Sequence, residues 1–287
     1  MKSHTKMNYK LFANRKILIV TKHRKEQAIA PLLETFGLEP ILSTQFDTDL
    51  LGTFSGEINR KDDALATLRK KCQLAMEIEG FDLAIASEGS FGNHPSVFFA
   101  AADDELVMLL DKKNNLEIIG RELSLETNFD EANLTTEAEL EVFVNKIQFP
   151  SHAVMVRPAK KDFSYQKKGI TNWEDLEYEF QYIKKEFGSC YIETDMRALY
   201  NPTRMQVIAK ATENLVQKMK SCCSICETPG FSITEVVKGL RCSLCNLPTK
   251  STLKYVLECQ KCHHQEEQKF PNGIEKEDPI YCDYCNP

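Results

Sequence analysis

The sequence predicts an α/β fold, a mixed sheet flanked by helices, followed by a small C-terminal two-zinc ribbon domain. Upstream of about residue 221, short apolar runs alternate with segments of helical period, whereas downstream segments are short, rich in turn residues and punctuated by cysteine. The 287 residues are 42% hydrophobic and 27% charged, ordinary globular proportions with length enough for two domains. Eight of the 11 cysteines fall in four Cys-x-x-Cys pairs between Cys223 and Cys285, a spacing that belongs to metal sites rather than to a disulfide scaffold. The expected division is an α/β ligand-binding domain over 1–220 and a double zinc ribbon over 221–287.

Residues 16–20 read as a buried strand, and 27–36 place Ile29, Leu32, Leu33 and Phe36 on one helical face before Gly37 stops the helix, the opening of a βαβ unit. Residues 39–43 form the next strand. A long helix follows over 61–79, with Leu65, Leu68, Cys72, Ala75 and Met76 on one face, and then a central buried strand over 81–86. The apolar runs 106–110 and 116–123, separated by the charged turn 111–115, predict a β-hairpin, which makes the sheet mixed. Thr135 caps a helix with Glu139 in its first turns, 152–156 is strand-like, and 173–187 is a helix ended by Gly188. After a short strand at 190–194, Asn201 and Pro202 supply the N-cap and first residue of a helix running towards Lys220.

Lys and Arg number 36 against 42 Asp and Glu, and the net charge of -6 has the wrong sign for gripping nucleic-acid backbone over a broad surface. A small or neutral partner is expected instead. No apolar run near the start approaches the roughly 20 residues of a membrane helix, and 1–16 carry basic residues without an apolar core, so no membrane or export role is expected. The sequence has no P-loop pattern ending in Gly-Lys-Ser/Thr and no spaced glycines of a dinucleotide fingerprint. Unoxidised metal-binding thiols point to a reducing cytoplasm.

The cysteine pairs are Cys223/Cys226, Cys242/Cys245, Cys259/Cys262 and Cys282/Cys285. Each two-residue gap lets both thiolates of a tight knuckle reach one ion, so eight thiolates make two closed tetrahedral zinc sites, structural rather than catalytic. Residues 231–237 have no internal turn, and a single strand there would place the first two knuckles at opposite ends, pairing first with third and second with fourth. The Pro271-Asn272-Gly273 turn favours a hairpin joining third to fourth, and sequential pairing is the preferred arrangement. Cys222, His263 and His264 adjoin ligands and are expected to stay unbound. Residues 221–287 hold seven Lys/Arg against nine Asp/Glu, which disfavours phosphate backbone as a partner of the ribbon.

Open α/β sheets bind ligands beyond the carboxyl ends of their strands. Lys22 and Lys25 follow the first strand and precede a helix, so their charges and the helix N-terminus are placed to receive phosphate or carboxylate. Thr53, Ser55 and Glu57 lie in a long loop with two glycines, able to clamp a ligand or to hold Mg2+ through carboxylates. Glu88, Ser90 and His94 lie in a glycine-containing turn after the strand ending at Ala86, where a carboxylate, a hydroxyl and an imidazole make the best catalytic candidate. Arg197 and Arg204 are natural anion forks on either side of Asn201. Glu88, Glu57 and His94 are thus the candidate catalytic residues. Lys22, Lys25, Thr53, Ser55, Ser90, Arg197, Asn201 and Arg204 are the candidate ligand-binding residues.

At Gly52-Thr53-Phe54-Ser55-Gly56-Glu57, Ser87-Glu88-Gly89-Ser90-Phe91-Gly92, Glu193 through Arg197, Asn201 through Met205 and Cys285-Asn286-Pro287, the chain resembles an uncharacterised bacterial family. That resemblance implies an N-terminal α/β region with C-terminal Cys-x-x-Cys knuckles, and no particular activity. The order of elements over 16–125 is also similar to that of the house-cleaning nucleoside-triphosphate pyrophosphatases. By that similarity Lys22 or Lys25 would contact phosphates while Glu57 and Glu88 help to hold Mg2+, although Lys22-His23-Arg24-Lys25 stands where that family carries Asn-x-x-Lys. The resulting expectation is a cytoplasmic protein that binds a small anionic ligand, a nucleotide or another phosphorylated molecule, and hydrolyses it with Mg2+. The competing expectation is a non-enzymatic adaptor whose ribbon docks a protein or nucleic acid.

Overall fold

The computed structural model describes residues 11–47 and 63–287. Thr53, Ser55 and Glu57 lie outside the described residues. The chain divides into two compact units: Gln217–Pro287 with Asn114–Ile118 form one, and 11–113 with Ile119–Val216 form the other.

The larger unit begins with strand β1 (Lys16–Val20), helix α1 (Glu26–Glu34), strand β2 (Glu39–Leu42) and helix α2 (Ala64–Glu79), followed by strands β3 (Leu83–Asn93), β4 (Ala101–Asp111) and β5 (Leu116–Ser124). These strands make one mixed sheet in the order β2-β1-β3-β4-β5. β1 is parallel to β2 and β3, and β3 is antiparallel to β4. Helix α2 starts where the Asp63 side chain accepts from Ala66 N–H and ends at Gly80 in the left-handed conformation. Its Leu68, Cys72, Ala75 and Met76 pack with Leu18, Val20, Ala84, Ala86 and Met108 of the sheet, so the 3.6-residue stripe becomes one side of a core.

Two features of this sheet differ from the sequence expectation. The central strand does not stop at Ala86; it continues through Asn93, paired residue by residue with β4 as far as Ala101. Residues 87–93 are therefore ladder rather than flexible turn, because backbone pairing with β4 carries through both glycines. The chain also builds a second sheet. Strands β6 (Glu131–Leu134), β7 (Val154–Arg157), β8 (Lys167–Ile170) and β9 (Cys190–Thr194) pair only antiparallel, in the order β6-β9-β7-β8. Helices α3 (Glu137–Lys146) and α4 (Trp173–Phe187) bury Leu140, Phe143, Val144, Leu176, Phe180 and Ile183 in its separate core. The cap of α3 is Thr136, one residue later than expected, in a reciprocal capping box with Glu139. Helix α5 (Pro202–Lys220) starts as the sequence indicates, with Asn201 Oδ1 accepting from Arg204 N–H.

In the smaller unit, strands β10 (Ser232–Lys238), β11 (Thr252–Glu258) and β12 (Gln265–Lys269) form an antiparallel meander. β10 is the uninterrupted run that leads from the first knuckle to the second. No helix among the described residues is long and apolar enough to cross a membrane.

Candidate functional site

The meander decides the ligand sets. β10 carries the chain from the first knuckle to the second, β11 returns it to the third, and β12 sends it back towards the fourth. Cys223, Cys226, Cys259 and Cys262 therefore gather in one cluster, and Cys242, Cys245, Cys282 and Cys285 in another. This overturns sequential pairing: three strands place odd and even knuckles at opposite ends, which a pair of separate hairpins would not do. Sulfur separations are 3.6 Å for Cys223–Cys262, 3.5 Å for Cys226–Cys259, 3.9 Å for Cys242–Cys285 and 3.6 Å for Cys245–Cys282. A tetrahedron with metal–sulfur bonds of about 2.3 Å has edges of about 3.8 Å. Both clusters therefore have the dimensions of a four-thiolate metal site and can hold an ion each.

The knuckles repeat one backbone device. In each, the residue after the second cysteine returns its N–H to the first cysteine's carbonyl: Glu227 to Cys223, Asn246 to Cys242, His263 to Cys259 and Asn286 to Cys282. Glu227, Asn246 and His263 adopt positive φ to close the turn. Within the first two knuckles, Ile225 and Leu244 N–H groups also donate to the sulfurs of Cys223 and Cys242 and so orient them. Cys222 belongs to neither cluster. His263 and His264 pair with Glu258 and Glu266.

The second candidate lies just past the end of β1, between the start of α1 and the middle of β3. Lys25, the residue before α1, is buried, and its ammonium donates to Ser87 Oγ at 3.1 Å. Next along β3, buried Glu88 forms an ion pair with Lys71 of α2. One residue further, Gly89 lies opposite Glu105 in the β3–β4 register. Glu105 meets Arg204 of α5 at 2.6 Å, with both side chains fully buried. Arg204 also donates to the Met196 carbonyl, and its guanidinium sits 5.0 Å from the centre of the Phe91 ring. A Cβ on Gly89 would lie 2.2 Å from Glu105 Oε1 and 2.7 Å from Arg204 Nη2, so that glycine serves close packing rather than mobility. Asp103, two residues before Glu105 on β4, is fully buried as well.

The electrostatics follow from this burial. Desolvation, helped by Arg204 and Lys71, pushes the Lys25 ammonium down to about 7, against the opposing pull of Glu105 and Glu88. Desolvation and repulsion from Glu105 push the Asp103 carboxyl up to about 8. An amine and a carboxyl that both titrate near neutrality, within one buried charge cluster, are the kind of perturbed pair found at functional sites. No third carboxylate completes a metal cage: among the described residues, the groups of three or more close ligands are the two cysteine clusters.

The other candidate residues separate into distinct environments. Lys22 is half-exposed and pairs with Asp47 at 2.5 Å. Ser90 is exposed on the outer part of β3. His94 accepts from Ser96 and Val97 N–H at Nδ1, a turn-closing role. Arg197 spends its guanidinium on Asp195 and stacks on Tyr200. Asn201 donates to Asn128 and caps α5. The structure therefore sets Lys25 and Arg204 among Asp103 and Glu105, and pairs Glu88, on the opposite face of β3 from Ser87, with Lys71; Lys71, Asp103 and Glu105 are residues that the sequence reading missed. Asp103 and Glu105 carried a signal in their own positions, since alternate residues of a strand share a face. Lys71 carried only its place beside Leu68 and Cys72 on the apolar side of α2.

A separate cleft of about 810 Å³, lined by Asn128, Phe129, Thr203 and Gln206 among others, takes in none of these charged residues. Its Phe129 stacks on Phe91 at 5.7 Å between ring centres. The volume is ordinary for a small-molecule site.

No curated protein matches the chain. The family described as a domain of unknown function, DUF6671, matches residues 71–287, well over half of the 287 residues. The matched stretch opens at Lys71, runs through Glu88, Glu105 and Arg204, and takes in all eight clustered cysteines. The chain therefore belongs to the DUF6671 family.

Proposed function

We propose that the larger unit binds a small anionic ligand of the phosphorylated class at Lys25, and that the two cysteine clusters hold structural zinc. The observation that carries the anion reading is Lys25: a buried ammonium whose hydrogen bond among the described residues goes to a neutral hydroxyl. A buried cation usually has an anion against it, and a phosphate at the α1 N-terminus would supply one. Hydrolysis with Mg2+ is the reaction that suits these groups, because phosphoryl transfer needs cations around the transferred oxygens and carboxylates to hold metal or water. Four thiolates leave zinc no open position, so its part is to hold the ribbon together. Reduced clusters of this kind persist in a reducing compartment, in keeping with a cytoplasmic location.

Thermal unfolding tests the anion reading. Inorganic phosphate, pyrophosphate and nucleotides, each with and without Mg2+, are expected to raise the unfolding temperature, by about 2.7 kcal/mol of stabilisation at a hundredfold excess over Kd. Lys25→Met is expected to remove the effect. Lys25 carries its charge below about pH 7 and loses it above, so anion binding should weaken as the pH rises through that value. An unfolding temperature indifferent to all these anions on the acid side of pH 7 would refute the reading.

A further inference from the structure

Two carboxyl groups on β4 carry buried oxygens without a hydrogen-bond partner among the described residues, both oxygens of Asp103 and one of Glu105. The other oxygen of Glu105, Oε1, meets Arg204. Both side chains are fully buried. As alternate residues of an extended strand they project from the same face, while Asp104 between them projects from the other and pairs with Arg121. A buried carboxylate without a counter-charge in contact is relieved either by a proton or by a metal ion.

The surroundings favour a metal. Asp103 offers two oxygens and Glu105 a third, all from one face, and carboxylate oxygens are what hard divalent cations select. Lys25 and Arg204 both act electrostatically on Asp103, so a cation entering alone would be repelled. A cation entering with an anion would not be. That is the usual situation of Mg2+, which is held by one or two carboxylates together with the phosphates of a ligand.

We propose that Asp103 and Glu105 hold a divalent cation of the Mg2+ class that enters with the anionic ligand. The proposal rests on the anion site of the preceding subsection and assigns its metal to β4 rather than to Glu88, which is engaged with Lys71.

Equilibrium dialysis of the full zinc-loaded chain against Mn2+, with and without inorganic phosphate, tests this directly. The expected result is one Mn2+ per chain in excess of the outer solution when phosphate is present, with uptake weakened at least about tenfold by Asp103→Asn. Asp103→Asn is isosteric and neutral, so it is expected to fold, which thermal unfolding of the variant checks. Phosphate binding without Mn2+ uptake, or uptake unchanged in Asp103→Asn, overturns the metal assignment and leaves the anion site standing. Failure of phosphate to bind under any condition removes the anion site and the metal site together.

Discussion

Stripping metal from the cysteine clusters with a strong chelator is expected to unfold residues 223–285 as one unit. The ribbon has almost nothing else to hold it. Its buried apolar cluster consists of Cys223, Cys259 and Phe231, with Cys226 and Leu257 packed against them, so three of the five members are cysteines of the first cluster. β12 is exposed along its whole length. A small unit with so little core would draw its stability from bound metal, since closed thiolate sites contribute on the order of 10 kcal/mol of apparent folding free energy. Elemental analysis of the untreated chain should return two ions per chain, and limited proteolysis after chelation should degrade the ribbon. Protease resistance of that segment in excess chelator, or a ratio of one, would contradict the two-site arrangement.

Arg204→Ala is expected to cost about 3–5 kcal/mol of stability, because removing one partner of a buried pair leaves the other charge uncompensated. Read from the sequence alone, Arg204 is an anion fork whose loss would chiefly weaken binding. In the structure it is fully buried, and the Glu105 carboxylate, the Met196 carbonyl and the Phe91 ring all depend on it. Chemical denaturation of the variant measures the loss. Replacing both partners, as in Arg204→Met with Glu105→Leu, should recover much of it, since the uncompensated charge is then gone. A loss no larger than the roughly 1 kcal/mol of a surface pair would show that Glu105 and Arg204 do not form a desolvated pair.

What was legible in the sequence follows from how local each signal is. Helix α4 could be read to the residue because Asn172 and Gly188 cap it chemically at either end. The cysteine spacing revealed the knuckles because each knuckle is closed within its own few residues. Which knuckles share an ion depends on the strands between them, and a strand's direction is set by its neighbours, so spacing could not decide it. The extension of β3 was hidden for the same reason: Gly89 and Gly92 look like a turn until β4 lies alongside. In the buried charge cluster, Lys25 and Glu88 stood out by position at strand ends. Lys71, Asp103 and Glu105 each looked like a charged residue in an ordinary amphipathic element, and only the third dimension brings them together.

The interleaved cysteine clusters bear on the order of events as the chain leaves the ribosome. Cys223, Cys226, Cys242 and Cys245 all emerge before Cys259, so the first four knuckle thiolates available to an ion are a set that the finished ribbon never uses together. An ion captured there must be surrendered once Cys259 and Cys262 arrive, by exchange of two thiolates on one metal. The native topology thus carries a ligand-swap step that a ribbon of two separate hairpins would avoid. Refolding of reduced, metal-free chain with one equivalent of ion is therefore expected to show fast capture followed by slow rearrangement. Cys242→Ser with Cys245→Ser should abolish the slow phase at the first cluster, and a slow phase that survives would mean that the early thiolates do not compete for the ion.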